Sequence, residues 1–266
     1  MVQAKKDLGQ NFLQDESIIV DIVNALIEEG DSDVVEVGPG MGALTKYLLK
    51  RVKGQFYAIE KDDRLMEYLP NAYPEIEGKL VNTDFLKFDL TTLFAGKFNL
   101  IGNFPYNISS QILFKVLDHK EQVDVMVGMF QKEVAHRVAA KPKNKAYGVI
   151  TILLQAFYDV ELLFDVAPEK FDPVPKVWSS VIKLKRNPEK DIKSTYKHFR
   201  SVVKLAFSQR RKVMNNTLKM YFNQLTELDE EDASWIEGVK RQRPEELSVE
   251  DFDRLVLMLE QHEVFN

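Results

Sequence analysis

The chain has 266 residues and a mass of 30.7 kDa, is 45% hydrophobic and carries a net charge of −5 at pH 7. This length suits one large domain or a large domain plus a small one, and the apolar content suffices for a buried core. Cysteine is absent, which excludes disulfides and thiolate catalysis. No apolar run is long enough to span a membrane and the N-terminal stretch lacks an apolar signal core, so we expect a cytoplasmic protein.

Strand and helix patterns alternate from Asp33 to about Lys185. Strands separated by helices favour right-handed crossovers, and therefore an α/β fold with a mostly parallel sheet and helices on both faces. The run 149–166 is compatible with either a helix or a strand, and a helix that leads into a strand fits its pattern. The other predicted strands are 33–38, 54–60, 78–84, 97–103, 123–130 and 177–185.

The pattern changes after residue 186. Asn187-Pro188 indicates a turn, and only helical patterns follow. Ser248, with Asp251 three positions later, is typical of a helix N-terminus. We therefore predict an α/β domain over residues 1–186 and a small all-helical domain over residues 187–266.

Charge is unevenly distributed along the chain. Residues 176–219 contain 13 Lys and Arg against 2 Asp and Glu, a net charge of +11, whereas the remainder contains 23 against 39, a net charge of −16. This asymmetry is more informative than the total. A basic stretch is compatible with a solvated face, but it also indicates a surface that binds phosphate groups.

The segment EVGPGMGALT (36–45) lies between the first predicted strand and its helix. Gly38, Gly40 and Gly42 allow the backbone to turn tightly and to approach a ligand closely. A dinucleotide-binding loop prefers G-x-G-x-x-G, which seats a pyrophosphate at the helix N-terminus. Here the spacing is G-x-G-x-G, and the carboxylate of Glu36 would repel a pyrophosphate but attract the ammonium group of a methionine moiety.

Two further carboxylates follow the next strands. Glu60 ends the second strand, where it could accept both hydroxyls of a ribose, and Asp84 ends the third, where it could accept from an adenine amino group. Each alone is compatible with a surface acid. Three acids at the carboxyl edge of consecutive strands indicate a binding site for an adenosine with a charged amino-acid tail and no phosphate. S-adenosylmethionine fits this description. The four histidines are not spaced along the chain as the ligands of a metal ion usually are, so we expect no metal site.

The segment NFPY (103–106) follows the fourth strand. The side-chain oxygen of Asn103 and the backbone carbonyl of Phe104 would accept the two N–H bonds of a base amino group and hold its lone pair toward an incoming methyl group. Pro105 keeps Phe104 out of the helical region. The ring face of Tyr106 would stack on the base, which is worth about 1–3 kcal/mol. The competing structural interpretation is a turn capped by an aromatic residue.

These motifs resemble the ribosomal RNA adenine dimethyltransferases of the KsgA type, and the resemblance extends over nearly the whole chain. Five further segments contribute to it: LGQNFL (8–13), MFQKEVAHRV (129–138), YGVITILLQ (147–155), FDPVPKVWSSV (171–181) and AFSQRRKVMNN (206–216). The resemblance implies a Rossmann-like class I methyltransferase domain followed by a helical RNA-binding domain. It implies that Phe171 flanks the target adenine opposite Tyr106. Phe104 departs from the family, which more often has Leu or Ile there. The residues implied to line the S-adenosylmethionine site are Asn11, Leu13, Gly38, Glu60, Asp84 and Asn103.

The resemblance also implies a substrate. The family dimethylates N6 of two adjacent adenosines in the loop of the 3′-terminal hairpin of 16S rRNA, within the immature 30S subunit, and the target base must leave its stack. We expect a monomer with no membrane partner. The side chains expected to contact the RNA backbone are those of Lys176, Arg210, Arg211 and Lys212.

Several alternatives share some of these features. A related antibiotic-resistance methyltransferase that acts on large-subunit rRNA has the same core motifs, although the RRKVMNN segment and the size of the helical tail favour the KsgA type. From another class, the chain could act chiefly as an assembly factor of the small subunit. A third and more remote alternative is a protein that has the methyltransferase fold but functions in transcription. The glycine spacing and the lack of a well-placed catalytic histidine disfavour a nicotinamide dehydrogenase.

Overall fold

A seven-stranded sheet organises the first part of the chain. The computed structural model describes residues 2–5 and 8–265. The alternation of strand and helix is as predicted, and the strands that the sequence analysis missed are two short ones near residues 12 and 171. The strands are β1 (Phe12–Leu13), β2 (Asp33–Val37), β3 (Phe56–Glu60), β4 (Leu80–Asn82), β5 (Phe98–Asn103), β6 (Val123–Gln131), β7 (Tyr158–Val166), β8 (Phe171–Asp172) and β9 (Ser179–Arg186).

The sheet has the strand order β4-β3-β2-β5-β6-β9-β7. The first five of these strands run parallel, and β9 runs antiparallel to β6. The central strands β2 and β5 are buried along nearly their whole length because both faces of a parallel sheet are covered. Their carboxyl ends meet at one edge, where Glu60 is opposite Asn82 and Asn103 is opposite Met129. Separately, β1 and β8 pair antiparallel, with Leu13 opposite Phe171.

Helices connect the strands and continue to the end of the chain. The helix over residues 16–27, absent from the sequence prediction, begins at Asp15, whose side chain accepts from the N–H groups of Ser17 and Ile18. Its inward face contributes to the main apolar core. The helices are α1 (Glu16–Ile27), α2 (Thr45–Arg51), α3 (Asp63–Ala72), α4 (Ser109–Asp118), α5 (Lys132–Val138), α6 (Val149–Gln155), α7 (Tyr196–Phe207), α8 (Met214–Thr217), α9 (Lys219–Phe222), α10 (Glu230–Arg241) and α11 (Val249–Gln261).

The chain forms two compact units. The first comprises the residues up to His136 together with Asp159–Arg186, and the second comprises Arg137–Tyr158 and the residues from Asn187 onward. The predicted domain bounds, 1–186 and 187–266, differ from these units in residues 137–158. That segment belongs with the helical unit, where the N–H of Lys143 donates to the carbonyl of Glu245 at 2.7 Å.

The second unit is helical apart from the first residue of β7. In it α7 packs on α11, and the ring of Phe207 lies 6.3 Å from that of Phe252. The predicted N-terminus of α11 is confirmed, because Ser248 and Asp251 cap each other reciprocally at 2.9 and 3.1 Å. After α7 the helical stretch is interrupted at Leu218, which separates α8 from α9. None of the helices in the described ranges has the length and apolarity needed to cross a membrane.

Candidate active site

A cleft of about 890 Å³ follows the carboxyl ends of β2, β3, β4 and β5 in the first unit. This is the edge at which open α/β sheets bind their ligands. Most of the predicted site residues line the cleft: Asn11, Leu13, Glu36, Gly38, Gly40, Glu60, Asp84, Asn103, Phe104, Pro105 and Tyr106. The predicted residues outside the lining are Gly42, Phe171, Lys176, Arg210, Arg211 and Lys212.

The glycine loop after β2 is tied to the end of β3. The N–H of Gly38 donates to the carbonyl of Ile59 at 2.9 Å, and the N–H of Gly40 donates to Glu60 Oε2 at 3.4 Å. Gly42, also predicted for the cofactor site, lies outside the lining of the cleft. Its φ is +86°, and a Cβ there would lie 2.2 Å from the ring of Tyr73. Glycine at position 42 therefore serves the turn and its packing on Tyr73.

Two carboxyl groups are buried at the base of the cleft. Glu36 is 1% exposed, accepts from the hydroxyl of Thr45 at 2.7 Å, and burial raises its pKa to about 8. Glu60 is 6% exposed, and burial raises its pKa although its Oε1 accepts from two backbone N–H groups at 2.8 Å. A cationic ligand would favour the ionised form of both groups, whereas a pyrophosphate would be repelled. These two carboxyl groups are therefore suited to bind S-adenosylmethionine.

Asp84 lies nearer the surface of the cleft. Its Oδ2 accepts from Lys61 Nζ at 2.9 Å and its Oδ1 from the N–H of Leu86 at 3.0 Å. The hydrogen bond from Lys61 lowers the pKa of Asp84, so the group is ionised at neutral pH. A carboxylate has about four acceptor sites, so Asp84 retains capacity for the adenine amino group predicted for it.

The N-terminal segment is anchored by Asp62, a residue that the sequence analysis missed. The Asp62 side chain is fully buried and accepts from Arg64 at 2.6 Å, from Gln10 at 3.1 Å and from Lys5 at 3.4 Å. The Arg64 guanidinium holds the pKa of this carboxyl well below its usual range. Further along, Asp15 pairs with Lys170 at 2.6 Å. These contacts tie the start of the chain to the loop after β3 and to the residue before β8.

Asn103 is oriented by the N-terminal segment. Its Nδ2 donates to the backbone carbonyl of Asn11 at 2.9 Å. This bond engages the nitrogen of the side-chain amide and leaves its oxygen, Oδ1, as an acceptor. No donor to this oxygen is found in the described part of the chain. The structure thus leaves the acceptor atom of Asn103 unengaged, as the sequence interpretation requires.

Phe104 combines a buried side chain with a free carbonyl. Its ring packs 4.9 Å from that of Phe130 and over Gly102 and Gly128, where a Cβ would come within 2.7 Å and 2.1 Å of the ring. Its N–H donates to the carbonyl of Met129 at 3.2 Å, but none of the described donors bonds its own carbonyl. This large buried ring fixes the position of the backbone at residue 104.

The ring of Tyr106 is held through its hydroxyl, which lies 2.5 Å from Ser179 Oγ. The sequence interpretation invoked only the ring face.

Phe171 differs from expectation: it is 2% exposed, pairs with Leu13 across the β1–β8 ladder and belongs to the apolar core. Since its ring is enclosed by that core, Phe171 offers no face to a base in this arrangement.

The predicted RNA-binding cations differ in their surroundings. Lys176 is exposed on the segment between β8 and β9, and Arg211 and Lys212 are exposed in the turn after α7. Arg210, by contrast, is engaged within the second unit, with Nε 3.6 Å from Glu245 and Nη2 donating to the carbonyl of Asn144 at 3.3 Å. Among the described residues no cluster of His, Asp and Glu is suited to a metal ion.

Known proteins are similar to this chain in sequence and in fold. The profile of the ribosomal RNA adenine dimethylase family matches residues 1–260. The ribosomal RNA small subunit methyltransferase A of Cytophaga hutchinsonii is 47% identical over 259 residues, which cover 97% of this chain and 98% of that protein. A dimethyladenosine transferase from Plasmodium falciparum aligns with a TM-score of 0.78 and 25% identity over 95% of this chain and 98% of its own.

The 23S rRNA methyltransferase ErmE aligns with a TM-score of 0.71 and 26% identity, over 94% of this chain and 100% of its own. These neighbours confirm the predicted Rossmann-like class I methyltransferase fold with a helical C-terminal region. The family profile and the curated relative confirm the resemblance inferred from the motifs. The chain is an enzyme that belongs to the ribosomal RNA adenine dimethylase family.

Proposed function

We propose that the chain transfers methyl groups from S-adenosylmethionine to N6 of two adjacent adenosines in the loop of the 3′-terminal hairpin of 16S rRNA, during assembly of the 30S subunit in the cytoplasm. The observation that carries this proposal is the pair of unengaged acceptors, Asn103 Oδ1 and the Phe104 carbonyl, on a cleft whose buried acids suit a cationic adenosine. The small-subunit methyltransferase from Cytophaga hutchinsonii, at 47% identity, supports the choice of rRNA.

The cofactor, when bound, supplies a methyl group that its sulfonium already activates. Glu36 would attract its ammonium group and Glu60 would accept from its ribose hydroxyls. Around the target base, Asn103 and Phe104 accept the N–H bonds of N6, which turns the nitrogen lone pair out of conjugation with the ring. The nitrogen loses a proton to solvent as it gains the methyl group, so the site needs no strong general base. In the second transfer one acceptor suffices for the single remaining N–H bond.

RNA binding would rest on the exposed cations. Lys176, Arg211 and Lys212 are free to neutralise phosphates. Arg210 would contribute less, because its guanidinium already contacts Glu245 and a backbone carbonyl.

The large-subunit alternative remains the competing function, since ErmE shares the fold at 26% identity. Primer extension on rRNA from a strain without its own dimethylase, complemented with this chain, separates the two. We expect polymerase stops at two adjacent adenosines of the 3′-terminal hairpin of 16S rRNA, and no stops when the complementing gene carries Asn103→Ala. Stops confined to 23S rRNA would contradict the proposal.

A further inference from the structure

An exposed apolar segment connects β8 to β9. Val174, Val177 and Trp178 are among the large apolar side chains that are exposed in the described part of the chain, and Trp178 has 49% of its surface exposed. Scattered exposed apolar residues are ordinary, but a group of three that includes a tryptophan indicates an interaction site. The proposed mechanism uses none of these side chains.

This segment is continuous with the side of the cleft that holds the target base. Asp172 and Pro173, which precede it, line the cleft. Ser179, which follows Trp178 directly, bonds the hydroxyl of Tyr106 at 2.5 Å. Trp178 is therefore one residue from the anchor of the proposed stacking ring, at the edge of the sheet where β5 and β6 end.

A lysine packs over the Trp178 ring. Lys132 Nζ lies over it at 5.5 Å from the centroid, and the N–H of Lys132 donates to the Trp178 carbonyl at 2.9 Å. Asp165 accepts from Lys132 Nζ at 2.6 Å and so fixes the lysine in place. Lys176, two residues before Trp178, is exposed. An exposed aromatic ring that a cation supports, with a further exposed cation two residues away in the sequence, is a combination that suits binding of unpaired nucleotides.

We propose that Trp178 stacks on a nucleotide that flanks the target adenosine in the RNA loop, with Lys176 near an adjoining phosphate. The inference rests on the proposed function, because the loop of a hairpin supplies an unpaired base next to the one in the cleft. Trp178 would hold the neighbour outside the cleft while Tyr106 holds the target inside it. The exposed charge of Lys176 beside Trp178 in the sequence favours a nucleic acid over an apolar protein surface as the occupant.

Saturation kinetics of methyl transfer to undermethylated small subunits tests this assignment. Loss of base–aromatic stacking corresponds to roughly a 5- to 150-fold loss of affinity. Because Trp178 is half exposed, we expect Trp178→Ala to raise the half-saturating subunit concentration about 5- to 20-fold, with a rate at saturation near that of the wild type. Trp178→Phe should lose less than about threefold, since it keeps a ring. Leu162→Ala, which removes another exposed apolar side chain of the first unit, is the matched control and should have no effect.

Trp178→Leu distinguishes stacking from apolar contact. We expect it to behave like Trp178→Ala. A leucine variant as good as the phenylalanine variant would assign the segment to a protein partner and overturn the proposal, as would an unchanged half-saturation for Trp178→Ala.

A fluorescence measurement separates this inference from the proposed function. The only other tryptophan is Trp235, so the Trp235→Phe protein reports on Trp178 alone. We expect a short unpaired oligoadenylate to quench its emission in a saturable manner. Unchanged emission would refute stacking on Trp178, whatever the methylation assay shows. Saturable quenching in a protein that does not methylate small subunits would refute the proposed function and leave the stacking site standing.

Discussion

Two sides of one cleft differ in how they are built. The cofactor side (Glu36, Glu60 and Asp84) consists of carboxylates, two of them buried and all of them hydrogen-bonded within the protein. The base side (residues 103–106) is uncharged, and its two decisive acceptors have no donor in the described chain. Carboxyl groups whose ionised form a cationic ligand favours contribute to binding of that ligand, whereas a fixed pair of neutral acceptors orients the target nitrogen. We therefore expect the cofactor side to determine affinity and the base side to determine rate.

The largest effect should come from removing the base-side amide. Asn103→Ala deletes the oxygen that holds the lone pair of N6, and it should lower the single-turnover rate of methyl transfer by about 10²–10³, by analogy with the loss of one donor from a preorganised site. RNA affinity should change little because phosphate contacts dominate it. Asn71→Ala, outside the cleft, is the control. A normal rate in Asn103→Ala would exclude the orienting role.

On the cofactor side, Glu60→Ala should weaken S-adenosylmethionine binding by about 1.5–3 kcal/mol, the cost of losing a charged hydrogen-bond partner. Isothermal titration calorimetry measures this, with Glu77→Ala, an exposed acid outside the cleft, for comparison. Since Glu60 also accepts from three backbone N–H groups, thermal melting must show that the variant is folded. Wild-type affinity in a folded Glu60→Ala protein would remove this residue from the site.

The burial of Glu36 makes stability depend on pH. Its pKa is about 8 in the folded protein against an ordinary value of 4.5, so between these values the folded state keeps a proton that the unfolded state has released. The contribution of Glu36 to the free energy of unfolding is therefore greatest below pH 4.5 and falls by up to about 1.4 kcal/mol per pH unit as the pH rises toward 8. Glu36→Gln should remove this contribution. Urea unfolding of both cofactor-free proteins across this range should show their difference growing with pH, and a constant difference would contradict it.

A smaller effect should follow from releasing the Tyr106 ring. Tyr106→Phe and Ser179→Ala each break the same 2.5 Å hydrogen bond, so each should cost about 0.5–1.5 kcal/mol in transition-state stabilisation, and the double variant little more than either single one. Ser180→Ala removes a neighbouring hydroxyl that bonds Asp165 instead, and it should leave the rate of transfer unchanged. Additive losses in the double variant would show that the hydroxyls act separately.

The smallest effect should come from the exposed cations of the second unit. Arg211→Ala and Lys212→Ala should each flatten the salt dependence of RNA binding by about 0.7–0.9 in the log–log slope, because each removes one phosphate contact. Arg210→Ala should change the slope less, since its guanidinium is engaged by Glu245. Filter binding over a range of salt concentrations measures the three slopes. Equal changes in all three would show that the Glu245 contact does not compete with RNA.

Much of this molecule was predictable from local patterns. The strand ends that carry Glu60 and Asn103 follow from apolar runs and topology. The helices over 16–27 and 230–241 could have been found, since Asp15 and Asp229 are ordinary N-caps. Contacts between distant residues left no local signal: the Tyr106–Ser179 bond spans 73 positions and the Asn103–Asn11 bond spans 92. Phe171 illustrates the same limit, because its burial depends on a two-residue strand too short to show a periodic pattern.

The division of labour between the two sides is tested most directly by a rescue experiment. Single-turnover methyl transfer to undermethylated small subunits is measured for Glu60→Ala and Asn103→Ala over increasing S-adenosylmethionine. We expect saturating cofactor to restore Glu60→Ala to nearly the wild-type rate and to leave Asn103→Ala about 10²–10³ slower. Restoration of Asn103→Ala by cofactor, or failure to restore Glu60→Ala, would contradict the account.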